Sequence, residues 1–148
     1  MDKKDLLIIE LLKRDAKLTT SQLSKKTGIP VTTIHNRLKR LEKEGIIKGY
    51  TIIPDYAKLD KSLAAYILLT VSYRGPVGEK YSQEEIAKEI RKLKGVEEVC
   101  IVTGQTDMVA KVRVKDVEEL NRFVIAGLRE IEGVDKTQTL VVLNEVSQ

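Results

Sequence analysis

The side chains best suited to recognise a partner lie on one predicted helix, between Val31 and Glu44. Ile34, Leu38 and Leu41 recur at helical spacing, so they form a stripe that faces the core. The outward positions carry hydroxyl, amide and cationic groups, with an imidazole at the border. They are Thr32, Thr33, His35, Asn36, Arg37, Lys39, Arg40 and Lys43. This face predicts contact with a polyanion that also offers hydrogen-bonding edges, as duplex DNA does.

The two ends of this face are expected to play different roles. The N-terminal part of a helix in the major groove meets base edges, so we predict base contacts from Thr32, Thr33 and Asn36. A threonine can touch a thymine methyl group, and an asparagine can bond adenine through two hydrogen bonds. The other polar side chains are predicted to hold phosphates, and one arginine to read guanine as well. These phosphate contacts are His35, Arg37 (also the guanine reader), Lys39 and Arg40, with Lys25 and Lys26 on the preceding helix. The alternative for any single lysine is an ordinary solvated surface position.

The elements that must position this face form a predicted helix-turn-helix. A first helix covers residues 2–14, and Thr20 is the expected N-cap of the second. Gly28 suits the left-handed C-terminal position of that helix, and Pro30 prevents its continuation. The β-branched segment 46–53 then predicts an exit strand, giving a winged-helix-like domain.

The remainder of the chain alternates strand and helix in the order βαββαβ, which predicts a ferredoxin-like αβ-sandwich. The fold class is therefore α+β. The predicted boundaries are a DNA-binding domain at 1–53, a linker at 54–62 and a dimerisation and sensing domain at 63–148. Predicted strands are Leu63–Arg74, Val96–Thr103, Met108–Lys115 and Thr137–Val146, and the predicted helices are Gln83–Leu93 and one capped by Asp116.

Charge and composition limit the classes of protein to which this chain can belong. Residues 1–61 hold 14 Lys and Arg against 8 Asp and Glu, a net charge of +6, and the rest of the chain carries −2, which fits a nucleic-acid module joined to a second module. The chain has 148 residues, one cysteine and no apolar run of membrane-spanning length, so we expect a cytoplasmic protein without a membrane partner. Abundant Lys, Glu and Ile suggest a thermophilic source.

Nothing in the sequence favours an enzyme or a bound cofactor. It has no phosphate-binding loop, no dinucleotide fingerprint, no metal-spaced His/Cys set and only one histidine. Cys100 lies in a predicted apolar strand, where we expect a buried small hydrophobe.

The predicted sheet suggests self-association, because two helices cover only one face of four strands. Both faces of the first strand are apolar: Leu63, Ile67, Leu69 and Val71 on one, Ala64, Tyr66 and Leu68 on the other. An uncovered apolar face of several hundred Å² marks an interaction site. We therefore predict a homodimer with sheets packed face to face; the alternative is that the N-terminal domain covers the sheet.

Three motifs together resemble the Lrp/AsnC family, the leucine-responsive or feast/famine transcription regulators of bacteria and archaea, and we expect an archaeal member. The first motif is the opening helix, Asp2-x-x-Asp5-x-x-Ile8-x-x-Leu11. The second runs from Ile34 through Arg37-Leu38-Lys39-Arg40-Leu41-Glu42 to Gly45-Ile46-Ile47-x-Gly49-Tyr50. The third is Val102-x-Gly104-x-x-Asp107.

The resemblance implies a dimer, often assembled to tetramers or octamers, that binds pseudo-palindromic promoter DNA and acts on the transcription machinery. It also implies an amino-acid effector near the turn before the third sandwich strand and near the final strand. The residues at those positions are Gly104, Gln105, Thr106, Asp107, Thr137 and Thr139. We expect Asp107 to accept the effector's ammonium group and the turn amides to hold its carboxylate; an ordinary hairpin turn is the alternative. The segment Arg74–Ser82 is longer than the family pattern, which puts higher assembly in doubt.

Two other functions stay open at this point. An architectural DNA-binding protein without an effector would carry the same basic helix. An RNA-binding protein would use the ferredoxin-like sheet, but that mode needs stacking aromatics, and only Tyr66 and Tyr73 are available.

Overall fold

A computed structural model describes residues 1–74, 78 and 80–145. The chain forms two compact units, Met1–Pro54 and Asp55–Gln148. The first contains three helices, and the second contains a four-stranded sheet with helices, so the α+β class is confirmed. Among the described residues, no helix combines the length and hydropathy that a bilayer crossing requires.

The first unit is a three-helix module. Its helices are α1 at Lys3–Arg14, α2 at Thr20–Thr27 and α3 at Val31–Lys43. The predicted N-cap of α2 is off by one residue, because the Thr19 hydroxyl accepts from the Gln22 amide and the Gln22 side chain accepts from the Thr19 amide. This reciprocal pair satisfies two backbone amides at the start of the helix. Gly28 closes α2 with φ of 70°, as predicted.

A small apolar core holds the three helices together. Ile8 and Leu12 of α1 pack with Leu23 of α2 and Ile34 of α3. Leu41 is also fully buried, so the predicted inward stripe of α3 is confirmed at both ends. This packing fixes which face of α3 points outward.

The predicted exit strand at 46–53 is wrong. These residues have no strand conformation, and Ile53 is 98% exposed. The amides of Ile46 and Ile47 bond to the Leu41 carbonyl and so close the end of α3. A β-branched segment needs a neighbouring strand for its ladder hydrogen bonds, and the described residues of this unit include no such strand.

The second unit confirms the βαββαβ order. Its main elements are β1 at Leu63–Val71, α4 at Gln83–Lys92, β2 at Val96–Ile101, β3 at Met108–Val114, α5 at Val117–Arg122 and β4 at Val134–Val141. The strands pair antiparallel in the order β2-β3-β1-β4. The helix α5 continues as a π-helical stretch, Phe123–Gly127, and a short 3-10 turn, Leu128–Glu130.

One face of this sheet forms the main core. Ile67 and Leu69 of β1 are fully buried there with Ile90 of α4 and Leu128 after α5. The strand β4 starts at Val134, three residues before its predicted start, because its pairing with β1 extends that far. The segment 74–82 and the predicted end of the last strand lie partly outside the described residues.

Part of the predicted linker belongs to the second unit. Residues Tyr56–Leu59 form a 3-10 helix, and the Asp55 side chain accepts from the Ala57 amide at its start. The ring of Tyr56 stacks on the guanidinium of Arg113 in β3, which lies 3.8 Å from the ring centre.

Candidate DNA-binding surface and effector turn

Most of the predicted contact residues of the first unit are available to a partner. Lys25 and Lys26 of α2 are exposed, and within the part of the chain that the structure describes neither has an ion pair or a side-chain hydrogen bond. The same holds for four exposed residues of α3, while Thr33 is half-buried. Those four are Thr32, His35, Asn36 and Lys39.

The N-terminus of α3 differs from those of the other two helices. Side chains cap α1 and α2 reciprocally, but Pro30 precedes α3 and supplies no such bond. The first amides of α3 therefore lie beside Thr32 and Thr33 without a side-chain cap. This end of a helix favours negative charge, and it is the end predicted to meet base edges.

The predicted outward orientation of Arg37 is wrong, because its side chain is bonded to the start of α1. Its side chain is only 19% exposed. Its Nη1 atom donates to the two carboxylate oxygens of Asp2 at 2.8 and 2.7 Å and to Asp5 Oδ1 at 2.7 Å. The acidic N-terminus of α1 therefore holds the side chain that the helical wheel of α3 alone assigned to solvent.

Arg40 is bonded inside the unit at some of its nitrogens but remains partly exposed to solvent. Its Nη2 atom donates to Asp5 Oδ2 at 2.6 Å, and its Nε atom lies 4.0 Å from Glu44 Oε1. The side chain nevertheless remains 46% exposed. Arg40 can therefore meet a phosphate while one of its nitrogens stays bonded inside the unit.

Both acids of this cluster are held in the ionised form. The backbone amide of Asp5 and the guanidinium of Arg37 lower the pKa of Asp2 to about 2. The amide of Asp2 and the same guanidinium lower the pKa of Asp5, although burial opposes its ionisation. The Asp5 side chain is 1% exposed, so it would be a costly unpaired charge without the two arginines.

The predicted effector turn connects β2 to β3. Gly104 has φ of 120°, a conformation that other residues rarely adopt. Gly104 and Gln105 are exposed, and Thr106 is half-buried. The turn is closed by a bond from the Val102 amide to the Asp107 carbonyl, 2.9 Å long.

The side chain of Asp107 is already bonded within the chain. Its Oδ2 atom accepts from the Val71 amide at 2.9 Å, and Oδ1 accepts from the Tyr73 hydroxyl at 3.0 Å and from the Gln83 amide group at 3.3 Å. The hydrogen bond to this carboxylate raises the pKa of the Tyr73 hydroxyl. These contacts join the turn to the end of β1 and the start of α4, which is more than the local cap of a simple hairpin.

The two threonines predicted beside the effector lie on the edge strand β4. Thr137 pairs with Leu69 and Thr139 with Ile67, and both are half-buried. Leu69 also pairs with Met108, the first residue of β3 after the turn. Since neighbouring strands are about 4.8 Å apart, Thr137 lies roughly 10 Å from the end of the turn. The sheet therefore places Thr137 level with the end of the turn, and Thr139 two residues further along β4.

The face of the sheet opposite the core is less apolar than predicted. Tyr66 and Leu140 are paired neighbours on it, and both are exposed. On the same face, Arg113 donates to Glu97 at 2.8 Å and to Glu145 at 2.7 Å. An ionic cluster therefore borders the apolar part of the open face.

Cys100 is not the buried hydrophobe expected. It is exposed, and its thiol lies 3.3 Å from a carboxylate oxygen of Glu98. That carboxylate raises the pKa of the thiol. Among the described residues, no group of three or more His, Cys, Asp or Glu side chains has the arrangement of a metal site.

Comparison with known proteins identifies both units. Residues 1–48 match the family described as winged helix-turn-helix DNA-binding, and residues 65–148 match the Lrp/AsnC ligand binding domain. The chain belongs to the Lrp/AsnC family. It is therefore a DNA-binding transcriptional regulator with a ligand-binding domain, and not an enzyme.

Relatives of this Lrp/AsnC chain match along all or nearly all of its length. An uncharacterised HTH-type transcriptional regulator of Pyrococcus furiosus is 44% identical over 95% of this chain and 91% of its own length, which supports the expected archaeal source. The leucine-responsive regulatory protein of Salmonella typhimurium is 32% identical over 100% of this chain and 88% of its own. A transcriptional regulator of Neisseria meningitidis, solved as its L-Met complex, has a TM-score of 0.88 and 26% identity, covering 100% of this chain and 93% of that one.

Three residues that support the candidate sites of this Lrp/AsnC protein were not predicted from its sequence. Asp5 lies three residues before Ile8 and seven before Leu12, so helical spacing alone places a carboxylate on the buried stripe of α1. A buried carboxylate needs a cationic partner, and that signal could have identified the arginines of α3. Tyr73 and Gln83 gave no comparable signal, because their meeting with a carboxylate of the effector turn depends on the fold.

Proposed function

We propose that this protein binds pseudo-palindromic promoter DNA as a homodimer or higher oligomer in the cytoplasm, and that a small amino acid modulates this binding. The observation that carries the proposal is the outward face of α3. It combines exposed hydroxyl and amide groups near the helix start with cationic groups further along. Duplex DNA offers base edges that hydroxyl and amide groups can contact, and phosphates that cationic groups can contact.

The hydroxyl and amide side chains of α3 remain the proposed base contacts, and its exposed cationic side chains remain the proposed phosphate contacts. His35 stays a backbone contact because it is exposed at the edge of the same face. Arg37 is withdrawn because its guanidinium is bonded to Asp2 and Asp5. The bases are assigned to Thr32, Thr33 and Asn36, and the phosphates to His35, Lys39, Arg40, Lys25 and Lys26.

The phosphate assignment is tested by the salt dependence of duplex binding. Each phosphate contact adds about 0.9 to the slope of log binding constant against log salt concentration. Lys39→Ala is expected to reduce the slope by about one such increment. The matched control is Lys88→Ala, which removes an exposed lysine from α4 in the second unit. Equal slopes for both variants would contradict the proposal.

The dimer proposal rests on the open face of the sheet. Tyr66 and Leu140 expose apolar surface there, and half-buried Leu68 and Val109 continue it. At about 25 cal/mol per Å², each 100 Å² that a partner covers contributes about 2.5 kcal/mol before the cost of association. A second copy offers the same apolar patch and the same ionic border, as two-fold association requires.

Sedimentation tests this interface. Leu140→Glu should shift the chain towards monomer, since it places a carboxylate within the covered patch. Val117→Glu is the control, because Val117 is an exposed apolar residue on α5 and not on this face. The dimer proposal fails if the unmodified chain sediments as a monomer at micromolar concentration.

The effector proposal places an amino acid beside the turn and β4. The backbone of Gly104, Gln105 and Thr106 would receive its carboxylate, and the hydroxyls of Thr137 and Thr139 would complete the site. The carboxylate of Asp107 keeps a supporting role, since its oxygens already accept bonds from the end of β1 and the start of α4. The L-Met complex of the Neisseria regulator supports an amino acid as the class of ligand.

Calorimetric titration with each of the twenty amino acids tests this site. We expect heat from at least one of them, and we expect Thr137→Val to weaken it. Thr51→Val, an exposed change in the first unit, is the control. No heat at millimolar concentrations would remove the sensing role.

Footprints without sequence preference would then favour an architectural DNA-binding protein, and stronger binding to RNA than to duplex DNA would favour the sheet as a nucleic-acid site.

A further inference from the structure

We propose that the N-terminus of α1 positions the arginines of the recognition helix α3. Buried Asp5 fixes the side chain of Arg40 so that it can contact a DNA phosphate. Asp2 and Asp5 together bind Arg37 inside the unit, where it has a structural role. This inference rests on the proposed DNA contacts of α3 and assigns different roles to its two arginines. Neither acid touches DNA, so both are positioning residues.

The carboxylate of Asp5 is fixed from three directions. Its Oδ1 atom accepts from Arg37 at 2.7 Å, and its Oδ2 atom accepts from Arg40 at 2.6 Å and from the Asp2 amide at 2.9 Å. The side chain is almost completely buried although its partners are partly exposed, so these bonds are partly shielded from water. Charge-assisted bonds of this length are the strong class in proteins. Asp5 is therefore a rigid support for both arginines.

Arg37 has little freedom to leave its position. One of its nitrogens is shared between Asp2 and Asp5, and its Nε atom is buried without a hydrogen-bond partner among the described residues. Reaching a phosphate would break several bonds and leave Asp5 with one cation. Asp5 is shared with Arg40, but Asp2 bonds to Arg37 alone, so the charge of Arg37 is offset more fully than that of Arg40.

Arg40 is held at one nitrogen by Asp5. That bond uses Nη2, and nearly half of the side chain stays exposed. Asp5 therefore restricts the rotamers of Arg40 while the rest of the guanidinium stays available. A side chain that is fixed before binding loses less freedom on binding. By this argument, Arg40 is the arginine of α3 that contacts phosphate.

Removing the charge of Asp5 separates this proposal from simple electrostatics. If Asp5 only added negative charge near the DNA, Asp5→Asn would strengthen binding. If Asp5 positions Arg40, the same change releases the arginine and weakens binding, by about threefold to tenfold for one mobilised long side chain. Asp5→Glu restores a carboxylate and should recover part of the loss.

The experiment measures binding of the full chain to a labelled duplex of selected sequence over a range of salt concentrations. Arg40→Ala should reduce the salt slope by about 0.9, the increment for one phosphate contact. Arg37→Gln retains hydrogen-bond donors towards the two acids and should leave the slope unchanged. A loss of stability changes the active fraction but not the slope, so the slopes of the two arginine variants report phosphate contacts alone. Circular dichroism of each variant confirms that the folded form is measured.

Two results would overturn the proposal: tighter binding by Asp5→Asn, or a slope that Arg37→Gln reduces as much as Arg40→Ala does. Should Asp5→Asn fail to fold, the comparison of the two arginine variants decides alone. An unmodified chain that binds no duplex would instead refute the DNA-binding surface itself, which distinguishes the two failures.

Discussion

Replacing Asp107 by alanine tests whether the effector turn is held by the chain itself. The change removes the acceptor of the Val71 amide, which bonds to Oδ2 at 2.9 Å, and of the Tyr73 and Gln83 side chains at Oδ1. Val71 is the last residue of β1, and its amide has no other side-chain acceptor among the described residues. Tyr73 is exposed and can bond to water instead.

The expected loss of stability depends on how exposed each former partner of Asp107 is. Leaving a partly buried amide without a partner costs about 1–3 kcal/mol, while an exposed side-chain bond contributes about 0.5–1.5 kcal/mol. We therefore expect Asp107→Ala to destabilise the second unit by roughly 2–3 kcal/mol. Tyr73→Phe removes two exposed bonds, one donated to Asp107 and one accepted from Gln83. Water can replace both, so the change should cost less than about 1 kcal/mol.

Urea unfolding followed by circular dichroism gives the stability of each variant, and amide hydrogen exchange gives the location of the change. Exchange should accelerate at Val71 and at position 107, whose amide bonds to the Leu69 carbonyl. The first unit should exchange as in the unmodified chain. Unchanged exchange at Val71 together with an unchanged unfolding midpoint would refute the role assigned to Asp107.

Further changes test other parts of the structure. Gly95→Ala should destabilise the second unit by at least about 2 kcal/mol, because φ there is 93° and the new Cβ would lie 2.8 Å from a main-chain oxygen of β3; unfolding in urea measures it. Thr19→Ala should cost the first unit about 1 kcal/mol through loss of the cap of α2, whereas Thr20→Ala should cost less, and equal losses would contradict the cap. Acid titration should destabilise the first unit. The pKa of Asp2 falls from 3.8 to about 2 on folding and the pKa of Asp5 is also lowered, so their stabilisation is complete above about pH 4 and is lost as the pH falls towards 2. Stability that stays constant over this range would contradict the ionised cluster.

The fold was largely predictable because its signals are local. The apolar spacing in α3, the glycine after α2 and the alternation of strand and helix each depend on neighbours in sequence. The strand predicted at 46–53 failed for the opposite reason. Its residues are β-branched as a strand requires, but a strand also needs a partner, and the described first unit contains none.

The candidate site was predictable only in part. Side chains such as Asn36 and Lys39 lie where the helical wheel places them, because nothing else in the described first unit covers that face. Arg37 departs from the wheel, since the acidic start of α1 packs against it. Asp107 likewise faces partners that are distant in sequence. The orientation of such side chains depends on contacts with residues that are distant in sequence. The spacing of residues within one helix or turn carries no information about those contacts.

The most direct measurement is selection of binding sites from random duplexes with the unmodified chain and with Asn36→Ala. If the outward face of α3 reads DNA, the unmodified chain selects a two-fold symmetric sequence. Asn36→Ala should then lose preference at one base position in each half-site, equivalent to about 1–3 kcal/mol of discrimination, with its salt slope unchanged. Selection of no preferred sequence, or the same preference from both proteins, would contradict the assignment of α3 as the recognition helix.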